Sequence, residues 1–294
     1  TFGRAIPDPD RTRERCSRTV APAVAAGRVP VVGGFVGASL DGIVTTLGRG
    51  GGDTSAAVLG AAIDAEEIQI WTDVDGLMTA DPRLVPEARP LERLSFAEAA
   101  ELAFYGAKVL HPASIEPAVR RNIPVRVRNA ANREAPGTEI VAGTDGTGAG
   151  IASIASRSGL RVVRIRSRRM DVDPDFLRDI AERCRAHGCT PDVMVSSEIG
   201  AAVALRTDAA SDAWIEDVGT VGQVDVRDDM AVVCVVGAGL DADPVTRRTV
   251  LEALSGLAPA IVSAGGSGTA VAAVIDEAGL ADAVRTVHRR FFEA

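Results

Sequence analysis

Of the 32 basic residues in this 294-residue chain, Lys108 is the one lysine and all the others are arginine. In a composition pushed so far towards arginine, the retained lysine marks a position worth following. Basic charge is also in deficit. Forty acidic residues leave a net charge of −8, so the sequence-wide basic footprint that nucleic acid demands is missing. Cysteine is sparse: Cys16, Cys184, Cys189 and Cys234 form no paired framework, which suits a reducing compartment. The stretch "CRAHGC" (184–189) fits no common zinc spacing, so idle, buried thiols are expected there. Long hydrophobic runs are also scarce. The uncharged stretch 253–275 is long enough for a bilayer, but its Gly- and Ser-rich centre reads as two short strands around a turn. Nothing near Thr1 reads as a signal peptide, and the expected location is cytoplasmic, with no membrane or nucleic-acid partner.

What is present is an ordinary globular composition, 46% hydrophobic and 24% charged, at a length that suits about two domains. "VPVVGGFV" (29–36) reads as a buried strand entering a glycine turn. "TTLGRGGGDTSAA" (45–57) then concentrates glycines around Arg49 ahead of a helix over 53–64, with Asp53 or Thr54 as its N-cap. A strand at 67–71 and the polar turn "TDVDG" follow. Strand, glycine turn, helix and strand together predict an α/β layered sheet with ligands at the carboxyl ends of its strands. A helix amino end offers unpaired N–H groups and a positive dipole end, and glycines let an anion approach them closely. Arginine beside such a turn can grip a carboxylate or phosphate with two parallel bonds. The turn is neither a Walker A loop nor a GxGxxG fingerprint, since Asp53 stands where the last glycine belongs.

Further on, Ser95 and Glu98 make a capping-box pattern ahead of an apolar stripe, a second helix follows "HP" at 111–112, and 124–128 returns as a strand. The end of the turn-rich stretch 132–150 reads as a linker. Beyond it, two successive β-α-β-β-α passes predict tandem ferredoxin-like modules. "LRVVRIRS", "VGQVDVRD" and "MAVVCVVG" are expected as separate strands, and Pro174 suits the first position of a helix. His111, His187 and His288 read as structural.

Several stretches, in order, resemble the aspartate kinases of the amino-acid-kinase superfamily: "FGRAIPD" (2–8), "GGFVG" (33–37), "TTLGRGGGDTSAA", "IWTDVDGLMTADPR" (70–83) and "FAEAAELAFYGAKVLHP" (96–112), with "SSE" (196–198) more weakly. The resemblance implies a layered αβα amino-acid-kinase sheet, incomplete at its amino end, over 1–145. Two ferredoxin-like ACT domains would follow at 146–228 and 229–294, with strands exchanged between them. It further implies ATP-dependent phosphorylation of the side-chain carboxylate of L-aspartate to 4-phospho-L-aspartate, the first step towards lysine, threonine and methionine. Mg2+ would travel with ATP on its phosphate oxygens, so no protein metal ligand is nominated.

By that resemblance Arg49 holds the aspartate carboxylate and Asp53 organises cationic groups at the reacting centre. Gly34, Phe35 and Gly50, Gly51 and Gly52 form the aspartate side. Thr72, Asp73, Met78, Arg83, Lys108 and Val109 contact ATP, which gives the lone lysine a purpose: a compact ammonium reaches nucleotide oxygens where a planar guanidinium fits poorly. Met170, Asp192, Ser196, Ser197 and Glu198 match an effector site for lysine or threonine, and paired ACT domains imply a homodimer. Departures exist. Gly52 stands where many members carry serine, and Asp173, Pro174 and Asp175 alter the effector loop. The family's opening Lys-Phe/Tyr-Gly-Gly motif is absent from this sequence. The reading therefore favours a piece of a complete kinase, with a non-catalytic, amino-acid-binding regulatory subunit as the alternative.

Overall fold

The computed structural model describes residues 5–48, 50–106, 112–143, 150–168, 174–240, 243–264 and 266–293. The chain divides into two compact units. One takes Thr1–Thr79 and Arg89–Gly148; the other takes Ala80–Ala88 and Ala149–Ala294.

The first unit opens with α1 (Pro9–Ala25), capped by Asp8, whose carboxylate accepts the Arg11 amide at 3.1 Å. A short ribbon of β1 (Val36–Ala38) and β2 (Val44–Thr46) leads into α2 (Gly51–Ala62) and β3 (Ile68–Thr72). Then come β4 (Arg93–Ser95), α3 (Phe96–Tyr105), α4 (Pro112–Arg121), β5 (Val125–Asn129) and β6 (Thr138–Val141). The sheet order is β3-β5-β6-β4, parallel in its two outer pairs and antiparallel between β5 and β6. Side chains alternate along these strands as extended backbone requires. Ile68, Ile70, Val125 and Val127 are buried, while Gln69 and Trp71 are exposed and Arg126 and Arg128 half-buried. On that more open face Arg126 bridges Glu67 at 2.8 Å and Glu139 at 2.9 Å, and the Arg128 guanidinium lies 4.8 Å from the Trp71 ring centroid. Helix α3 starts with the expected capping box: Ser95 Oγ accepts the Glu98 amide at 3.2 Å and Glu98 Oε2 accepts the Ser95 amide at 2.8 Å.

The expected buried strand at 29–36 does not form. Val29 and Val31 are 87% and 95% exposed, and pairing starts only at Val36. No described strand lies alongside 29–34 to take its backbone bonds, and an apolar run without a ladder partner has no reason to stay extended.

The second unit is built on one antiparallel sheet ordered β11-β12-β10-β7-β9-β8. Its elements are β7 (Gly150–Ser167), α5 (Pro174–Ala186), β8 (Val193–Ser197), β9 (Gly200–Arg206), α6 (Asp212–Val218), β10 (Gly222–Ala238), α7 (Pro244–Ser255), β11 (Ile261–Ala264), β12 (Ala270–Asp276) and α8 (Leu280–Phe292). The strands expected separately at the ends of the two modules are instead continuous. β7 and β10 run beside each other from Gly222↔Ser167 to Ala238↔Gly150. One end of this long pair carries β9 and β8 and a core of Val163, Ile165, Phe176, Ile180 and Trp214. The other carries β12 and β11 and a core of Val233, Val235, Val250, Leu254 and Val284. Position 228, the expected boundary between modules, falls inside β10 at the register shift between Arg227 and Met230. Ala80 and Val85 belong to the second of these cores, and Arg285 Nε donates to the Leu84 carbonyl at 2.9 Å. The uncharged run 253–275 becomes the end of α7, β11 and most of β12, and no described helix is long and apolar enough to cross a membrane.

Candidate active site

The glycine turn behaves differently from the sequence expectation. Helix α2 begins at Gly51 rather than near Asp53, because Gly50 takes the left-handed conformation (φ 69°) and serves as N-cap without a side-chain bond. Asp53 therefore sits in the first helical turn, where its charge meets the positive end of the dipole. The Gly50 carbonyl accepts from Thr54 N at 2.9 Å, Thr54 Oγ1 at 3.0 Å and Ser114 Oγ at 3.3 Å, and Gly51 N donates to Gly48 O at 3.1 Å. Gly52 is exposed, with nothing within 4 Å of where a side chain would begin. The amino end of α2 is thus open to an approaching group.

Gly34 and Phe35 lie directly on this turn. A Cβ on Gly34 would be 3.7 Å from Gly52 Cα, and one on Gly51 would meet the Phe35 ring at 2.8 Å. Phe35 itself has φ 71°, a conformation that costs a bulky side chain on the order of 1–3 kcal/mol. It is held there from both sides: Phe35 N donates to Ser55 Oγ at 2.8 Å, and Phe35 O accepts from Leu47 N at 3.0 Å. The structure therefore brings Gly34, Phe35, Gly50, Gly51 and Gly52 together at the start of α2. Arg49, the residue expected to grip substrate in their midst, lies outside the described residues, as do Lys108, Val109 and His111.

Thr72 and Asp73 stand at the carboxyl end of β3, where open α/β sheets place ligands. Thr72 Oγ1 donates to Asp73 Oδ1 at 3.1 Å, and Thr72 O accepts from Ala130 N at 2.8 Å. The turn after them is pinned by residues that sequence reasoning missed. Asp75 Oδ1 accepts from Asn129 Nδ2 at 2.7 Å and from Asn132 Nδ2 at 3.2 Å. The "TDVDG" turn signalled Asp75, but nothing local announced its two amide partners more than fifty residues on. Met78 pairs in an isolated bridge with Pro90. Arg83 falls in the stretch Ala80–Ala88, which belongs to the second unit. Its guanidinium is held by Asp81 at 2.6 Å; hydrogen bonding to that carboxylate pushes the arginine up and holds the Asp81 carboxyl below its ordinary range.

Of the expected effector residues, Ser196 and Ser197 line an open cavity of about 560 Å³, along with Arg164, Arg166, Gln223 and Asp225. Glu198 is exposed in the turn between β8 and β9. Met170 lies outside the described residues. Asp192 is buried and ion-paired with Arg157; burial pushes its carboxyl above the ordinary range against the pull of that guanidinium. The four cysteines are buried free thiols. Burial, with Cys189 beside it, pushes the Cys184 thiol up to about 12, which leaves it unreactive. His187 sits just past α5 against Asp217 at 3.0 Å, and His288 is buried against Glu293 at 3.1 Å, so both have structural partners.

Comparison with known proteins fits this arrangement. The profile of the Amino acid kinase family matches residues 2–129. Aspartokinase 1, chloroplastic, of Arabidopsis thaliana is 34% identical over 90% of this chain and 49% of its own length. Lysine-sensitive aspartokinase 3 of Escherichia coli is 31% identical over 99% of this chain and 66% of its own. The crystal structure of E. coli aspartokinase III with aspartate and ADP superposes with a TM-score of 0.82 at 31% identity, covering 99% of this chain and 66% of that one. The chain spans about half the length of the plant relatives it matches. With a family profile over residues 2–129 and a superposition covering 99% of the chain, the chain belongs to the aspartokinases of the amino acid kinase family.

Proposed function

We propose that this chain serves the ATP-dependent phosphorylation of the side-chain carboxylate of L-aspartate. In that reaction a carboxylate oxygen attacks the γ-phosphorus, the bond to the β–γ bridging oxygen breaks, and ADP leaves with that electron pair. The observation that carries the reading is the open amino end of α2 walled by Gly34 and Phe35, two residues that the family resemblance assigns to the aspartate side. A relative crystallised with aspartate and ADP supports the same pair of ligands.

Phosphoryl transfer asks the protein for alignment and charge neutralisation more than for covalent help. Here Arg49 holds the aspartate carboxylate, and the glycine turn lets backbone come close to the transferring charge. Asp53 organises the cationic groups around it, while Thr72, Asp73, Met78, Lys108 and Val109 receive the nucleotide. Mg2+ enters on the phosphate oxygens and lowers the repulsion between the two anionic reactants. Feedback by lysine is the matching regulatory reading. It is supported by the lysine-sensitive relative and by Ser196 and Ser197 in the wall of their cavity, with a homodimer as the expected assembly.

The test is aspartate-dependent ADP release by the full-length protein, with the acyl phosphate trapped by hydroxylamine. Arg49→Ala should raise the aspartate KM on the order of 100-fold while leaving ATP affinity within about threefold. Unchanged aspartate kinetics would remove Arg49 from the site.

A further inference from the structure

A turn with glycine at 48, 50, 51 and 52 is the least suited backbone for holding two reactants in line, because glycine loses more freedom on ordering than any other residue. Productive alignment tolerates only about half an ångström of drift. Something outside the turn must hold it still. The hydrogen bonds show what does.

Ser55, one turn into α2, donates from Oγ to the Gly51 carbonyl at 2.8 Å and accepts the Phe35 amide at 2.8 Å. One hydroxyl therefore welds the strained Phe35 backbone to the first turn of the helix, across 20 positions of sequence. Ser114 acts from the other side. It is 2% exposed, lies in α4 six positions after Lys108, and donates to the Gly50 carbonyl. With both Thr54 bonds on that carbonyl and the Gly51 amide bonded to Gly48, the peptide plane between Gly50 and Gly51 is fixed from both edges.

We propose that Ser55 and Ser114 are positioning residues. Ser55 sets the aspartate-side wall, and Ser114 locks the glycine turn to the helix that follows the nucleotide segment at Lys108 and Val109. Neither hydroxyl has to touch a reactant; each acts through a backbone group. The inference rests on the aspartate kinase reading above and assigns it two residues the family resemblance did not supply.

Removal of the two hydroxyls has different signatures. Losing the Ser55 hydroxyl frees Phe35, so binding of aspartate suffers and binding of ATP does not. Losing the Ser114 hydroxyl leaves each reactant its own contacts but loosens their mutual alignment, so turnover suffers more than either KM. In the full-length enzyme, Ser55→Val and Ser55→Thr are near-isosteric and differ in the hydroxyl alone, so they separate the bond from mere packing. Ser55→Val should raise the aspartate KM about tenfold with the ATP KM within about twofold, and Ser55→Thr should restore the aspartate KM to within about twofold of the parent. Ser114→Ala should lower kcat about fivefold with both KM values within about twofold, and Ser114→Thr should recover most of it. Equal aspartate KM values for the Val and Thr variants, or parallel changes in both substrates, overturn the proposal for Ser55. An unchanged kcat in Ser114→Ala overturns it for Ser114. An unsubstituted protein that forms no acyl phosphate overturns instead the activity on which both depend.

Discussion

The first unit keeps its six described strands short, at three to five residues, and hangs its candidate site on a glycine turn and a strained phenylalanine. The second runs two strands of 18 and 17 residues through the middle of a six-stranded sheet and buries a separate core at each end. One unit concentrates conformational strain at the proposed aspartate side; the other gathers apolar contact and long ladders. Strain is tolerated at a site when its surroundings over-determine it. At Phe35 the surroundings are two backbone hydrogen bonds and the glycine-only approach of Gly51. In the second unit Gly159 at φ 71° and Asp229 at φ 53° sit within long ladders that hold either side of them, while Ala258 at φ 50° lies in the turn between α7 and β11.

Four experiments put this contrast to the test. The largest effect belongs to the second unit. Trp214 is fully buried beneath α5 and the sheet, and Trp214→Ala should cost about 3–5 kcal/mol, read from denaturant unfolding by circular dichroism. Next, Gly51→Ala puts a methyl 2.8 Å from the Phe35 ring and 3.3 Å from Leu47 Cβ. If the first unit is specialised as described, aspartate binding falls on the order of tenfold while the melting temperature moves by no more than a few degrees. A large loss of Tm with intact aspartate binding would erase the contrast. Third, Ser95→Ala removes the reciprocal cap of α3 and should cost about 1 kcal/mol, a purely structural loss inside the unit that carries the proposed site.

The smallest effect is in pH, and its sign differs between the units. Burial raises the Glu67 carboxyl, but hydrogen bonds from Gln69 and Arg126 outweigh it and hold the group below its ordinary range. Its stabilisation is thus present above the ordinary carboxylate pKa and lost as pH falls through the lowered value. Asp192 is raised, mainly by burial, so its contribution is present below the ordinary pKa and lost as pH climbs through the raised one. Unfolding midpoints across the acid range should show Glu67→Gln flattening the loss on acidification and Asp192→Asn flattening the loss on the alkaline side. Identical profiles for the two variants would refute these opposite signs.

Much of this was legible in residue order because the relevant forces are local. The capping box at Ser95 and Glu98 spans three positions, Pro174 opens α5 as its fixed φ suggests, and the glycines around position 50 advertised a backbone that L side chains resist. The continuity of β7 and β10 was not legible. Gly159 and the acidic pair Asp228–Asp229 are turn punctuation in an isolated reading, yet here they are irregularities within long strands because the neighbouring ladder continues on both sides. The pairing of Asp192 with Arg157 was equally silent. A buried aspartate at a strand start looks available to a ligand until the fold brings an arginine from β7 against it.

Residue order alone was enough for the family, for most helices and strands and for the turn where chemistry is expected, since caps, glycine conformations and period-two alternation act between near neighbours. Which hydroxyl holds which backbone group came from packing in three dimensions. Ser55 reaches back 20 positions to Phe35 and Ser114 reaches 64 to Gly50, and a hydrogen bond requires donor and acceptor within about 3 Å. That distance is set by how helices and strands pack, which no stretch of neighbouring residues encodes alone.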